Sequence, residues 1–193
     1  MRLSTHFVLT GLLLAAAATA GRAQIERLDL ETMVSRTDNT VHGEIVGKQV
    51  FRVDHPVDGP ELYFTKLTVK GSSLVDGRGT TVDVVFPGGF IDKERGIGVH
   101  NSEAPSEDDT RVGNQVVVFY RWNDNQGGGV AGNALYASHG GLYRTVKGPD
   151  GKVVVLGRGK GYAIEANRGL GQLDTAITTI RQQLDAKQLE QTK

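Results

Sequence analysis

The spacing of hydrophobic and polar positions changes several times along the chain, and each change marks an element. Residues 7–20 form a largely apolar run of 14 residues, interrupted only by Thr10, Gly11 and Thr19. Leu30, Met33 and Val34 then fall at i, i+3 and i+4, the stripe of a short helix, with Asp29 at the position that caps it. The helix is expected to end near Thr37-Asp38-Asn39. Over residues 41–53 the period drops to two, with Val41, Gly43 and Ile45 on one face. The phase slips at Val46-Gly47, as a β-bulge at a glycine would make it slip. Asp54-His55-Pro56 and Asp58-Gly59-Pro60 are turn chemistry. A second strand is predicted over 62–70, where Tyr63, Thr65, Leu67 and Val69 alternate with Phe64, Lys66, Thr68 and Lys70. A third covers 80–86, with Val82, Val84 and Phe86 facing in, and Pro87-Gly88-Gly89 stops it.

Residues 90–113 read as a long polar insertion, a length that in a compact domain points to function or mobility. The strand at 115–122 is apolar on both faces (Val116-Val117-Val118-Phe119-Tyr120), which predicts the most central position. Residues 123–132 read as a loop with Gly127-Gly128-Gly129 at its tip. Residues 142–146 and 152–156 flank Gly148-Pro149-Asp150-Gly151, a hairpin signal, and 160–164 offer one more short strand. Leu173, Ile177, Ile180 and Leu184 form the stripe of an amphipathic C-terminal helix at about 170–188. The expected class is mainly β. About six strands with one apolar face each need a closed or partly open barrel to avoid long free edges, with the last helix on its wall or across one mouth.

The N-terminal run changes where this barrel is expected to work. Arg2, the apolar stretch and the small residues ending at Ala23 have the three-part layout of a secretory signal peptide. Fourteen helical residues span about 21 Å, short of the roughly 30 Å hydrocarbon core. The organisation expected is a signal at 1–23 and one domain at 24–193, in the periplasm or secreted, with no membrane span after cleavage and no Cys for lipid attachment. Without cysteine the domain must be held by packing alone. Beyond residue 23 the chain carries 20 basic and 22 acidic residues, a net charge of −2 that argues against nucleic acid. Its 24 glycines sit between β-branched runs, in keeping with tight turns and bulges.

Several segments carry a resemblance. Val34-Ser35-Arg36-Thr37-Asp38 leads into Val41-His42-Gly43-Glu44-Ile45-Val46, and a tyrosine-bearing strand ends in Val69-Lys70-Gly71. Val84-Val85-Phe86-Pro87-Gly88-Gly89, a strand running from Val112 to Phe119, and Gly159-Lys160-Gly161-Tyr162 before the closing helix complete the order. Over residues 29–184 this resembles a group of uncharacterised bacterial exported proteins, similar in layout to the OB-like barrel of netrin-like modules and tissue inhibitors of metalloproteinases. The resemblance implies an OB-like barrel. Those inhibitors act through an N-terminal Cys and disulfides, so a chain without Cys inherits no inhibitory function from it.

Candidate chemistry is sparse. His42, His55, His100 and His139 have no ligand spacing, and Glu103, Glu107, Asp108 and Asp109 lack the alternation of a calcium loop, so no cofactor or metal is expected. The serines, including Ser138 beside His139, carry no nucleophile motif. Gly157-Arg158-Gly159-Lys160-Gly161 lacks the ending of a phosphate loop and reads as a glycine-rich turn. Residues 144–168 nevertheless hold a local charge of +4 against −4 over 101–110, which makes Arg158 and Lys160 candidates for an anionic partner. Arg121 and Trp122, at a strand end beside the glycine loop, are candidates for stacking a ligand, although packing of Trp122 under that loop is the stronger expectation. The expected function is a non-catalytic binding module of the cell envelope or exterior, for a protein or anionic polymer. The alternatives are an exported hydrolase whose carboxylates assemble in the fold and, more weakly, a single-strand nucleic-acid binder.

Overall fold

A computed structural model describes residues 28–191, so the signal peptide expected at 1–23 lies outside the described residues. Helix α1 (Leu30–Ser35) starts where Asp29 accepts the Thr32 N–H at 2.7 Å, the cap the sequence predicts. Ten strands follow. They are β1 (Asn39–His55), β2 (Gly59–Ser73), β3 (Gly79–Pro87), β4 (Gly89–Asp92), β5 (Ile97–Val99), β6 (Gln115–Asn123), β7 (Gly132–Leu135), β8 (Leu142–Lys147), β9 (Val153–Val155) and β10 (Arg168–Gly169). The chain then enters helix α2 (Leu170–Gln191). No helix among the described residues is long and apolar enough to cross a membrane.

Five of these strands close a mixed barrel in the order β1-β2-β3-β7-β6 and back to β1. All pairings are antiparallel except β3 with β7, where Val84 faces Asn133 and Val85 faces Ala134. Strand β7 is absent from the hydrophobic pattern, which gives only a loop up to residue 132, yet it closes the barrel. Strand β8 pairs with the first half of β6 beyond the end of β7, and β9 and β10 extend the sheet outward. Residues 160–164, expected to be a strand, are turns and bends instead. Arg158 N–H and Gly159 N–H bond the carbonyls of Ile164 and Glu165 at 2.9 Å and fold 157–165 back on itself. Ala163 and Ile164 are thereby buried without joining a ladder.

The slip predicted at Val46 is real: the β1–β2 register jumps between Ile45 and Gly47, and Val46 turns out to solvent. One strand face fills the barrel with Val41, Ile45, Leu67, Val69, Val84, Val116 and Val118, each fully buried. The opposite face of β6, through Val117 and Phe119, packs into a second core with Met33 and Val34 of α1 and Leu173 and Ile177 of α2. Hence β6 is apolar on both faces, and α2 lies on the outer wall rather than across a mouth. Arg181 of α2 donates to the Thr37 carbonyl and pins the helix to the end of α1.

Near the open end of the β1–β2 pair, where β1 begins and β2 ends, the two backbones touch. Gly43 faces Gly71, and a Cβ on Gly43 would lie 2.7 Å from Gly71 Cα. This contact lets two long strands coil tightly around the core. Gly71→Ala should destabilise the protein by about 1–3 kcal/mol in urea unfolding, as overpacking does. Gly79→Ala, at a position with open space around it, should stay within about 0.5 kcal/mol.

Candidate functional site

The insertion at 88–114 builds a concavity at one end of the barrel. It leaves β3 through Gly88 and Gly89, both at positive φ (+98° and +130°), and a side chain on Gly89 would collide with Val50 and Thr65. Two glycines therefore let the chain turn sharply and pass low over the barrel mouth. Thr65 Oγ1 donates to the Gly88 carbonyl at 2.6 Å, and Gly88 N–H bonds the Tyr63 carbonyl at 2.7 Å. Strands β4 and β5 pair as a hairpin inside the segment read as a long polar insertion, with Gly89 opposite Val99.

The rest of the insertion is a strap fixed at several points. Ala104 packs against the barrel interior and Pro105 is buried. Lys48 Nζ donates to Thr110 Oγ1 at 2.8 Å, and Thr110 in turn donates to the Ser106 carbonyl at 3.0 Å. The strap rejoins the barrel beside the β1 bulge, where Gly113 N–H bonds the Ile45 carbonyl and Ile45 N–H bonds the Asn114 carbonyl, at 2.8 and 2.9 Å. Arg158 supplies the outermost tie. Its guanidinium donates to Asp109 Oδ2 at 2.9 Å and to the Leu142 carbonyl at 2.8 and 3.0 Å, and it lies 5.8 Å from the Tyr143 ring centre. Both partners of this ion pair are about four-fifths covered (22% and 19% of the side chains exposed). The mobility suggested by the length of the insertion is thus answered by fixed contacts.

A histidine completes the attachment. His139 Nδ1 lies 3.1 Å from the Glu103 carbonyl, which can only accept, so Nδ1 carries the proton. Nε2 then accepts from Tyr162 O–H at 2.9 Å. The preceding Ala137 and Ser138 have φ of +53° and +51°, a left-handed turn that costs on the order of 1–3 kcal/mol at non-glycine residues. This His–Tyr pair joins the strap, the 137–141 turn and the glycine-rich 157–161 segment. Among the described residues no three His, Asp or Glu side chains are grouped to hold a metal ion.

Beneath the strap lies an open cavity of about 570 Å³. Val50, Phe86, Phe90 and Val99 form its apolar wall, while Lys48, Lys93, His100, Glu107 and Thr110 give it polar groups. Lys93 and Glu107 pair at 2.9 Å on the exposed rim, which holds the Glu107 carboxyl below its usual range. Desolvation pushes the Lys48 ammonium below the ordinary lysine value; Glu107 acts against that shift and Lys93 adds to it. A smaller hollow of about 440 Å³ lies on the other side of residues 99–102, lined by Asp58, Glu61, Tyr63 and Phe64. Asp58 there accepts the Gly128 N–H at 2.7 Å, joining the β1–β2 turn to the β6–β7 loop.

The residues singled out in the sequence lie elsewhere. Trp122 is 53% exposed, so packing under the loop is not its role; its indole N–H donates to Asp124 at 2.7 Å. Arg121 is exposed and its guanidinium sits 5.7 Å from the Tyr136 ring centre. Lys160 is exposed on the glycine-rich turn, and Arg158 is occupied by Asp109 and Leu142. None of the four lines the cavities described above. The acidic and basic segments do meet, but through Arg158 and Asp109 as a structural tie. Sequence reasoning missed Lys48, Phe90, Lys93 and Thr110, and the signal pointing toward them was the Gly88-Gly89 pair that opens the insertion. The chain has no match among protein-family models, curated proteins or solved structures.

Two outcomes follow for Arg158 and for the Tyr143 ring it lies against. Arg158→Met should cost about 1.5–3 kcal/mol in urea unfolding, since it strands Asp109 and the Leu142 carbonyl. Burial also pushes the Tyr143 phenol up to about 12. A raised phenol contributes stability that is complete below the unfolded value near 10 and lost as pH climbs toward 12. Tyr143→Phe should therefore remove about 2–3 kcal/mol of the alkaline decline across that window, measured as unfolding free energy against pH.

Proposed function

We propose that this protein is an exported, non-catalytic binding module of the cell envelope or exterior, built on an OB-like barrel, and that it takes its ligand at the strapped mouth. The observation that carries this reading is the mouth cavity: a concavity within the roughly 300–1,000 Å³ of small-ligand sites, roofed by a segment fixed at several points. Export rests on the three-part N-terminal sequence. The OB-like assignment is supported by the strand order. Counting only the barrel strands it runs 1-2-3-5-4-1 with a parallel pair between the third and fifth. The β1–β2 turn also meets the β6–β7 loop, the two loops that flank ligands in such barrels.

The rival readings draw less support. General-acid hydrolysis needs a carboxyl kept protonated, whereas Asp54, Glu107 and Asp150 are all held below the usual range, first by the cationic side chains that hydrogen-bond them. Nucleic-acid binding across the loop-flanked face would set phosphates beside Asp58 and Glu61.

Protein-observed NMR with a library of small organic molecules, short peptides and soluble glycans tests the proposal. Shift changes should cluster on Val50, Phe86, Phe90 and Val99 and vanish in Ser102→Trp, which fills the cavity from its exposed rim while the fold is verified by its amide spectrum. Ligands that bind elsewhere, or that bind Ser102→Trp unchanged, would contradict it.

A further inference from the structure

The charge and shape of the mouth narrow the ligand class. Its lining carries Lys48 and Lys93 against one carboxylate, Glu107, a net charge of +1 before His100 is considered. The two cations are not equivalent. Lys93 is engaged with Glu107 on the rim, both side chains about two-thirds exposed. Lys48 has a single hydrogen-bond acceptor, the hydroxyl of Thr110, and no carboxylate within ion-pair distance among the described residues. An ammonium has three donors, so two remain for a ligand. Lys48 shares the cavity with Val50, Phe86 and Phe90, with the buried Phe86 ring coming from the barrel interior.

A cation with spare donors beside an apolar wall suits a compact anionic head on an apolar body. We propose that the strapped mouth binds a singly charged anionic amphiphile, its head on Lys48 and its body along Val50, Phe86 and Phe90. This rests on the reading of the mouth as the binding site and adds the ligand class. Two further features agree with it. Lys48 is exposed at the mouth, yet its ammonium is held below the ordinary lysine value, first by desolvation, and a bound anion would offset that shift. The neighbouring hollow is lined by Asp58 and by Glu61, which Arg52 pairs at 2.9 Å, and by no Lys or Arg, so an anionic head finds a cation with spare donors only on the Lys48 side of residues 99–102.

The test compares sodium octanoate with 1-octanol, which share an apolar body and differ in the charge of the head. Each is titrated into the full domain below its micelle or solubility limit and followed by NMR of cavity residues. Octanoate should bind about tenfold more tightly than octanol, the gain typical of a charge-assisted hydrogen bond. Lys48→Met should abolish that preference, Lys48→Arg should keep it, and Lys152→Met, outside the mouth, should leave it unchanged. Because Lys48→Met also removes a tie to Thr110, the charge-preserving Lys48→Arg separates loss of charge from loosening of the strap. Equal binding of the two probes at the mouth would overturn the anion preference and leave the binding-site reading standing. Shifts confined to residues outside the mouth would overturn both. Absence of octanoate binding, or unaltered binding by Lys48→Met, would overturn the ligand class.

Discussion

The structure depends on a parallel contact two residues long. Where Val84 and Val85 of β3 meet Asn133 and Ala134 of β7, the sheet closes into a barrel. Open that contact and β3 and β7 each become a free edge, the liability that closed barrels abolish. Closure also fixes the curvature of β1 and β2, which is why Gly43 and Gly71 must touch. With no disulfide available, this geometry is secured by packing: one face of β6 fills the barrel and the other fills the layer under the two helices. The two cores are thus coupled through β6 and through its neighbour β8, which gives Leu142 to the barrel and Tyr143 to the outer layer.

The mouth follows from the same closure. Strand β3 ends at the rim and β6 begins at the same end of the barrel, so the residues between them have to cross the opening. Ala104 packs against the barrel core, while Lys48, Arg158 and His139 hold the strap from three different segments. The charges are sorted by this arrangement. Arg158 and Asp109 neutralise each other under partial cover, Lys93 and Glu107 do so on the rim, and Lys48 is left with a hydroxyl. The overall neutrality of the sequence therefore hides a local positive site.

Much of the fold was legible where the signal is local. The Asp29 cap, the bulge at Val46, the two-faced burial of β6, the hairpin at Gly148-Pro149-Asp150-Gly151 and the stripe of α2 each lie within a few residues of sequence. Strand β7 was not legible, because Gly132-Asn133-Ala134-Leu135 shows no alternation and its parallel partner lies about fifty residues away. Residues 160–164 were expected to be a short strand, but the glycines at 159 and 161 adopt positive φ and turn the chain. The site was less legible still. Arg158 stood out by its charge, which is spent on Asp109. Trp122 stood out by rarity and points to solvent. Lys48 and Thr110 are unremarkable alone and become a site only when the strap brings them together.

Native-state amide hydrogen exchange tests the closed barrel most directly, since it reads the stability of the β3–β7 contact against the rest of the sheet. Hydrogen-bonded amides in residues 82–86 and 133–135 should exchange with the same free energy as those in 41–45 and 116–120, all near the global unfolding value. Exchange of the β7 amides by a separate opening, several kcal/mol below that of β1 and β6, would contradict the account.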